Sequence, residues 1–344
     1  MALVARSLRE QIDCDIQIII PSVVKFDTSR FEDEFVLHRP RIERKDLRFP
    51  APAFADALDE IFAKLQPDLV VHDCCPARWL ATARFPDCPR AIVTNSFVTR
   101  LAAADTIQVR LLRKRARRIR RERAARGLAD LNSAFDLFEA DRVLLADPPW
   151  LVPDVDAMPA HYHACGAVWW EAEGDLPQEL SDISEVLLCS MGSTGKFVDP
   201  RFSTLTADRF GCDDIVRVHA GTKEHRVHTT RGHRMFEWGV LPLGRLLPRV
   251  RAVVTSGGAG STYQALAAGK PMVVVPSHRN HRILGELLET RGVAVVVDSK
   301  RALKRIPAER IAELGATAAR AGPAHVANDG AQKIAMHLVE LISS

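Results

Sequence analysis

Ala252-Val253-Val254-Thr255-Ser256-Gly257-Gly258-Ala259-Gly260-Ser261-Thr262 decides the fold, together with the helix-patterned residues that run from it to Gly269-Lys270-Pro271. A short β-branched apolar run is the signature of a buried strand, and the glycines that follow permit a tight change of direction. The helix after the turn begins with backbone N–H groups that have no partner inside it, and its dipole adds partial positive charge at the same place. Such a turn is a seat for a diphosphate that needs no metal, with Ser261 and Thr262 able to add hydroxyl donors. Taken alone it serves equally well as a plain connection between strand and helix.

The same alternation recurs on both sides of the turn. Val186-Leu187-Leu188-Cys189-Ser190 and Asp214-Ile215-Val216-Arg217-Val218 read as strands before it, and Met272-Val273-Val274-Val275-Pro276 and 293–298 as strands after it, with a helix over 281–290 between. Nearer the start, Asp15 to Pro21, Pro67 to Asp73 and Arg90 to Asn95 read as strands. Helical patterns cover the first dozen residues, 52–65 and 105–140. This βα rhythm predicts parallel sheets of Rossmann-like type, with ligands at the carboxyl ends of the strands. The chain opens on a helix, so the strand expected before it is missing from the pattern. Prolines 148, 149, 153 and 159, followed by Gly166 and Gly174, mark a boundary. The division expected is a first domain over 1–165, a linker over 166–184 and a second domain over 185–344, with the closing helix near 329–342 able to pack on either.

A length of 344 residues fits two domains, and 47% hydrophobic with 26% charged residues is the balance of a globular protein. Seven scattered cysteines with no C-x-x-C pair indicate neither a disulfide framework nor a zinc site and fit a reducing cytoplasm. Arg6, Arg9 and Glu10 interrupt the apolar start, and no apolar run reaches the roughly 20 residues of a membrane span, so neither a signal peptide nor an integral segment is expected. A net charge of +4 does not call for nucleic acid. Locally, Arg110 to Arg126 holds nine Arg and Lys114 against Glu122 alone, with Val109, Leu112, Ala116 and Ile119 as a narrow apolar stripe. A solvated face is the favoured reading of this helix, a peripheral contact with an anionic membrane the second, and nucleic acid, without interleaved aromatics, the third.

From Val253 to His281 the sequence resembles the GT-B glycosyltransferases of the UDP-glycosyltransferase type, in their bacterial macrolide and natural-product branch. Gly258, Ser261, Gly269, Pro271 and Pro276 stand where that signature has them. Ser190-Met191-Gly192-Ser193 resembles the family's Ser-x-Gly-Ser loop, and Arg123 to Leu128 and Pro153 to Gly166 its interdomain approach. The resemblance implies two Rossmann-like domains about a cleft and inverting, metal-independent hexose transfer, with no cofactor. The donor would be a UDP- or dTDP-sugar and the acceptor a hydroxyl of a small or lipid-like molecule. It implies a donor site of Ser193, Val240, Ser256, Gly257, Gly258, Gly260, Ser261, Thr262, Gln264, Asn280 and His281. Ser256 stands for a usual His, Gln264 for an acidic ribose ligand and Asn280-His281 for Asp-Gln, which points to altered donor preference. His281 reads equally well as a surface residue at a helix start.

Asp73 matches the acidic partner that orients the family's general base, a His in a Gly-His-x-x-Pro turn that would lie before Met1. As a lone Asp at a strand end it would otherwise be read as a helix cap. His72 points to the opposite face and reads as structural. Two expectations follow: the true start lies upstream, or this form is a noncatalytic homologue that binds or activates. The first is preferred, because a sheet without its central strand exposes two edges. A sugar-nucleotide epimerase on a similar scaffold lacks the support of the transferase signature.

Overall fold

A computed structural model describes residues 1–21, 31–42, 51–73, 80–96, 107–132, 134–191, 200–219 and 225–344, with backbone alone at 107–115, 134–135 and 200. The chain forms two compact units. One comprises Met1–Ala146, Asp156–Cys165 and Gly330–Ser344, and the other Asp147–Val155 and Gly166–Asp329. The closing helix, Gly330–Ser343, therefore belongs to the first unit, where it packs against the opening helix Ala2–Arg9. Residues 166–184, expected as a linker, lie within the second unit.

In the first unit β1 (Gln17–Ile19) pairs in parallel with β2 (Val36–His38). A separate parallel sheet has the order β3 (Val70–Asp73), β4 (Arg90–Thr94), β5 (Arg142–Leu145), β6 (Tyr162–Ala164). The helix Pro52–Leu65 has the predicted bounds and buries Phe54, Ala55, Leu58 and Phe62, the face set by its apolar periodicity. Against the same cluster pack Ile19 of β1 and Val70 of β3. The helix expected over 105–140 is shorter, running Ile107–Ala125. Gly127, at φ 67°, takes the left-handed conformation after it, and Leu128 N–H returns to Arg123 O at 2.9 Å, closing the helix end. Strand β6 escapes sequence reading because it is three residues long among prolines.

The second unit holds a seven-stranded sheet of order β13-β12-β11-β7-β8-β10-β9, where β7 is Val186–Ser190, β8 Asp214–Val218, β9 Arg226–Thr230, β10 His233–Trp238, β11 Val250–Thr255, β12 Met272–Val274 and β13 Ala294–Val296. Of these seven strands among the described residues, only β9 is antiparallel, paired with β10 at the edge. β7, β8 and β12 are buried throughout, as a parallel sheet covered on both faces requires. Leu187, Cys189, Ile215, Val254 and Val273 join Phe202, Phe210 and Leu314 in one core. The chain moves outward from β7 to β8 and β10, then returns to place β11 on the other side of β7. That reversal is a topological switch point, the place beyond the carboxyl ends of the strands where open α/β sheets bind ligands.

Candidate functional site

The Gly-rich turn leaves β11 at the switch point. Thr255 is in register with Ser190, the last residue of β7, so the turn and the Ser190-Met191 loop start side by side. The Ser256 hydroxyl donates to Met191 O at 3.2 Å and ties the two loops together. Thr255 Oγ1 accepts from Gly257 N–H at 3.1 Å and lies 3.2 Å from Thr262 Oγ1. Ser256 and Thr262 are both buried, so their hydroxyls build the turn. Gly257 has φ 87°, and a Cβ there would stand 2.7 Å from His281 O, two independent reasons for glycine. Gly258 precedes the helix Ala259–Ala267 in extended conformation and gives no side-chain cap. The residues of that first turn, Ala259, Gly260 and Ser261, are partly exposed. This is the backbone arrangement that receives an anion.

His281 lies within the helix Arg279–Thr290 that follows β12. It is 8% exposed, which removes the reading of a surface residue. Its Nδ1 is 2.9 Å from Ser277 Oγ, and its ring centroid is 3.5 Å from that of His278. Burial, with His278 adding like charge, depresses its pKa to about 4, so the ring is neutral at pH 7. Asn280 is partly buried on the same helix start. Val240, 44% exposed, follows β10 and shares the carboxyl edge of the sheet, because β7, β8, β10, β11 and β12 are parallel. Gln264 is buried; its Nε2 donates to Trp170 O at 3.4 Å, and its Oε1 has no partner. Ser193 lies outside the described residues, as does Gly192.

In the first unit Asp73 ends β3 and is exposed. It interacts electrostatically with the amino group of Met1, raising that group's pKa against the larger lowering by burial. The neighbouring His72 has Nδ1 3.0 Å from Asp73 O, and its ring stacks on Phe85 with centroids 5.7 Å apart. Its Nε2 is sealed off without a partner and burial drives its pKa to about 4, a neutral, structural imidazole.

The basic helix is less uniform than its sequence. Arg126 pairs with Asp56 and Asp59, and Arg123 donates to Ala81 O and Ala129 O, each at 2.7 Å. Both are structural. Arg117, Arg118, Arg120 and Arg121 are exposed, while the side chains of Arg110, Arg113, Lys114 and Arg115 lie outside the described residues. No helix among the described residues is long and apolar enough to cross a membrane.

Sequence reasoning missed Thr255, whose hydroxyl organises the turn, and His278; a polar β-branched residue at a strand end and a His-x-x-His spacing were the available signals. It also missed Tyr263, whose buried hydroxyl donates to Asp147 and fixes the 147–155 segment to the second unit.

Two parallel-sheet units with a Gly-rich turn at a switch point define the class: this is a GT-B protein, a fold shared with a kitacinnamycin glycotransferase at TM-score 0.69 and 16% identity, covering 98% of this chain and 94% of that one. The glycosyltransferase VinC in complex with dTDP shares it at TM-score 0.59 and 16% identity, over 99% and 95% of the two chains. More particularly, residues 206–340 match the family described as erythromycin biosynthesis protein CIII-like, C-terminal domain. A PGL/p-HBAD biosynthesis glycosyltransferase of Mycobacterium tuberculosis is 28% identical over 47% of this chain and 38% of its own length. A PGL/p-HBAD biosynthesis rhamnosyltransferase of Mycobacterium bovis is 27% identical over 75% of this chain and 61% of its own. The chain thus spans less than two thirds of these relatives.

Proposed function

We propose that this protein transfers a hexose from a nucleotide-diphosphate sugar to a hydroxyl of a small-molecule or lipid-like acceptor in natural-product or glycolipid biosynthesis, with inversion and without a metal. The carrying observation is the uncapped helix start at Gly258, set at the switch point between β7 and β11. The family match, the relatives and the dTDP complex of a protein with the same fold support the reading. In the step proposed, the acceptor oxygen bonds to the anomeric carbon while the bond from that carbon to the diphosphate oxygen breaks. The acceptor proton passes to a general base, and charge developing on the diphosphate is met by the N–H groups at the start of helix Ala259–Ala267. Asp73 is the proposed orienting partner of that base. His72 does not qualify, since its Nε2 is sealed from any acceptor and burial lowers its pKa to about 4, which makes it a weak base.

On the donor side, Gly257, Gly258, Gly260 and Ser261 would approach the diphosphate, with Ser256 and Thr262 holding the turn in shape. His281 and Asn280 are placed to read sugar hydroxyls and Val240 to border the nucleoside. The noncatalytic binding or activator homologue is the second reading, favoured by the internal commitments of the Ser256 hydroxyl and Gln264 amide. Calorimetric titration with UDP and dTDP, with and without EDTA, tests donor binding. Saturable binding unaffected by EDTA is expected, and no binding of either nucleotide would remove the turn from this account. Turnover of a donor sugar then separates enzyme from silent homologue. Peripheral membrane contact through the Arg110–Arg126 helix is a lesser extension, since Arg123 and Arg126 are engaged in the fold and Arg120 pairs with Asp130.

A further inference from the structure

Beside the helix Ala259–Ala267, on the flank away from its start, lies a cavity of about 350 Å³ whose walls include Trp169, Glu171, Leu247, Pro248, Gln264 and Lys270. It belongs wholly to the second unit. Leu247 and Pro248 precede β11, and Lys270 precedes β12, so these walls stand at the amino edge of the sheet. The Gly-rich turn stands at the carboxyl edge, a strand of six residues away, or roughly 20 Å.

One wall is a strap of chain sewn down at successive residues. Asn328 pairs with Trp169 as a strand neighbour would, its Oδ1 accepting from Trp169 N–H and its Nδ2 donating to Trp169 O, each at 3.0 Å. Gln264 Nε2 donates to Trp170 O, and Glu171 Oε1 accepts from Gly244 N–H at 2.7 Å. Gly244 has no Cβ, which would lie 3.2 Å from that carboxylate, so the carboxylate rests directly on the backbone. A strap held at three consecutive residues fixes the backbone that brings Trp169 to the cavity, and preformed walls are what ligand sites have.

One buried polar atom on this cavity lacks a partner, and a half-buried cation lines the same space. Gln264 is 7% exposed and its Oε1 accepts nothing, a costly state unless something supplies a donor. Lys270 forms no salt bridge with a described residue; partial burial lowers its pKa, opposed by the more distant charge of Glu185. With Glu171, the rim offers a carboxylate and an amide oxygen as acceptors, one ammonium as donor, and a net charge of zero. A ligand fitting this set is neutral and brings more hydrogen-bond donors than acceptor-only groups. Hydroxyls, which both donate and accept, meet that condition; a pyrimidine base, with one N–H against two carbonyls, does not. The indole, Leu247 and Pro248 then face the apolar side of the ring. The volume sits at the small end of the ~300–1,000 Å³ range of ligand pockets, enough for one sugar ring rather than a nucleotide.

We propose that the Trp169–Gln264–Lys270 cavity is a saccharide subsite, separate from the phosphate turn, that takes a single pyranose ring. The inference stands on this cavity alone and does not require the turn to bind a donor. The test is saturation-transfer NMR on the full chain with methyl α-D-glucopyranoside and methyl α-L-rhamnopyranoside as probes. Transfer to at least one glycoside at millimolar concentration is expected, unchanged by excess UDP or dTDP. Lys270→Met and Trp169→Leu should each weaken it at least about tenfold. Lys270→Met, at a half-buried position outside the core, should keep the thermal unfolding transition and nucleotide affinity of the wild type. Absence of transfer to both glycosides, or its displacement by either nucleotide, overturns the subsite, as does undiminished transfer in a folded Lys270→Met protein. Failure of UDP and dTDP to bind while a glycoside still does would refute the turn's function and leave the subsite standing.

Discussion

The carboxyl end of β11 and the carboxyl end of β3 hold the two kinds of residue on which transfer would depend, and they are built differently. At β11, Thr255, Ser256, Gly257 and Thr262 are interlocked by side-chain hydrogen bonds, and Gly257 is pressed against His281 O. At β3, Asp73 is exposed, and the neighbour His72, half-buried with its Nε2 sealed, is on the opposite face of the strand. The same contrast holds for the sheets behind them. β7 and β11 each have a strand on both sides in a seven-stranded sheet, whereas β1 and β3 among the described residues each pair on one side only. A site whose shape is overdetermined by packing holds backbone donors in place before a ligand arrives. A carboxylate at an exposed strand end depends on its partners for orientation.

Substitution at Gly257 should break this contrast most completely. Gly257→Val meets both a positive φ and the His281 carbonyl, so a loss of about 3 kcal/mol or more in urea unfolding and no detectable UDP binding by calorimetry are expected. Gly258→Ala, with nothing nearer than 3.8 Å to the new Cβ, is expected to cost under about 1 kcal/mol. Equal effects of the two would show that the packing against His281 is unimportant.

Acid probes both units together, because His72 and His281 each have a pKa of about 4 in the fold against 6.5 when unfolded. The unfolded chain binds more protons between these values, so stability is complete above pH 6.5 and falls as pH drops toward 4. The slope is at most about 1.4 kcal/mol per pH unit for each ring. His281→Gln should flatten part of that acid limb in pH-dependent thermal melts, and His72→Gln another part; an unchanged limb in both contradicts the burial assigned to the rings.

Removing an ion pair in the first unit separates the units. Arg126→Met removes the cation shared by Asp56 and Asp59, leaving Asp59 the Arg84 N–H, with a loss of about 1–2 kcal/mol in unfolding and no change in nucleotide affinity expected. A drop in UDP affinity would show that the turn senses the first unit. The smallest effect is foreseen for the double variant Arg117→Glu, Arg121→Glu on the exposed basic face, which should leave stability within about 0.5 kcal/mol. It should also abolish any retention of the protein on anionic vesicles, and equal retention of variant and wild type removes the membrane reading.

Much of this arrangement was legible in the residues. Strands β7, β8, β11, β12 and β13 of the second unit and the helix over 52–65 follow from period and β-branched composition, which act locally, whereas β9 and β10, polar and partly exposed, escaped that reading. The glycines of the turn were legible because a positive φ and a close approach both exclude other side chains. What remained hidden depends on neighbours far along the chain. The hydroxyl of Ser256 meets Met191 O 65 residues away, and the Gln264 amide meets Trp170 O 94 residues away. No local pattern encodes either. The basic helix shows the opposite failure: its composition suggested one charged face, and tertiary contacts divided it into anchored and exposed arginines.

By itself, the sequence determined a protein of parallel sheets with a Gly-rich strand-to-helix turn, because strand and helix periods and glycine's backbone freedom are properties of short segments. The fold alone decided which candidate residues are structural, where the chain passes between its two units, and that an amide oxygen of Gln264 lies buried beside a ring-sized cavity. Those outcomes depend on burial and on partners distant in sequence, which exist only once the chain has closed on itself.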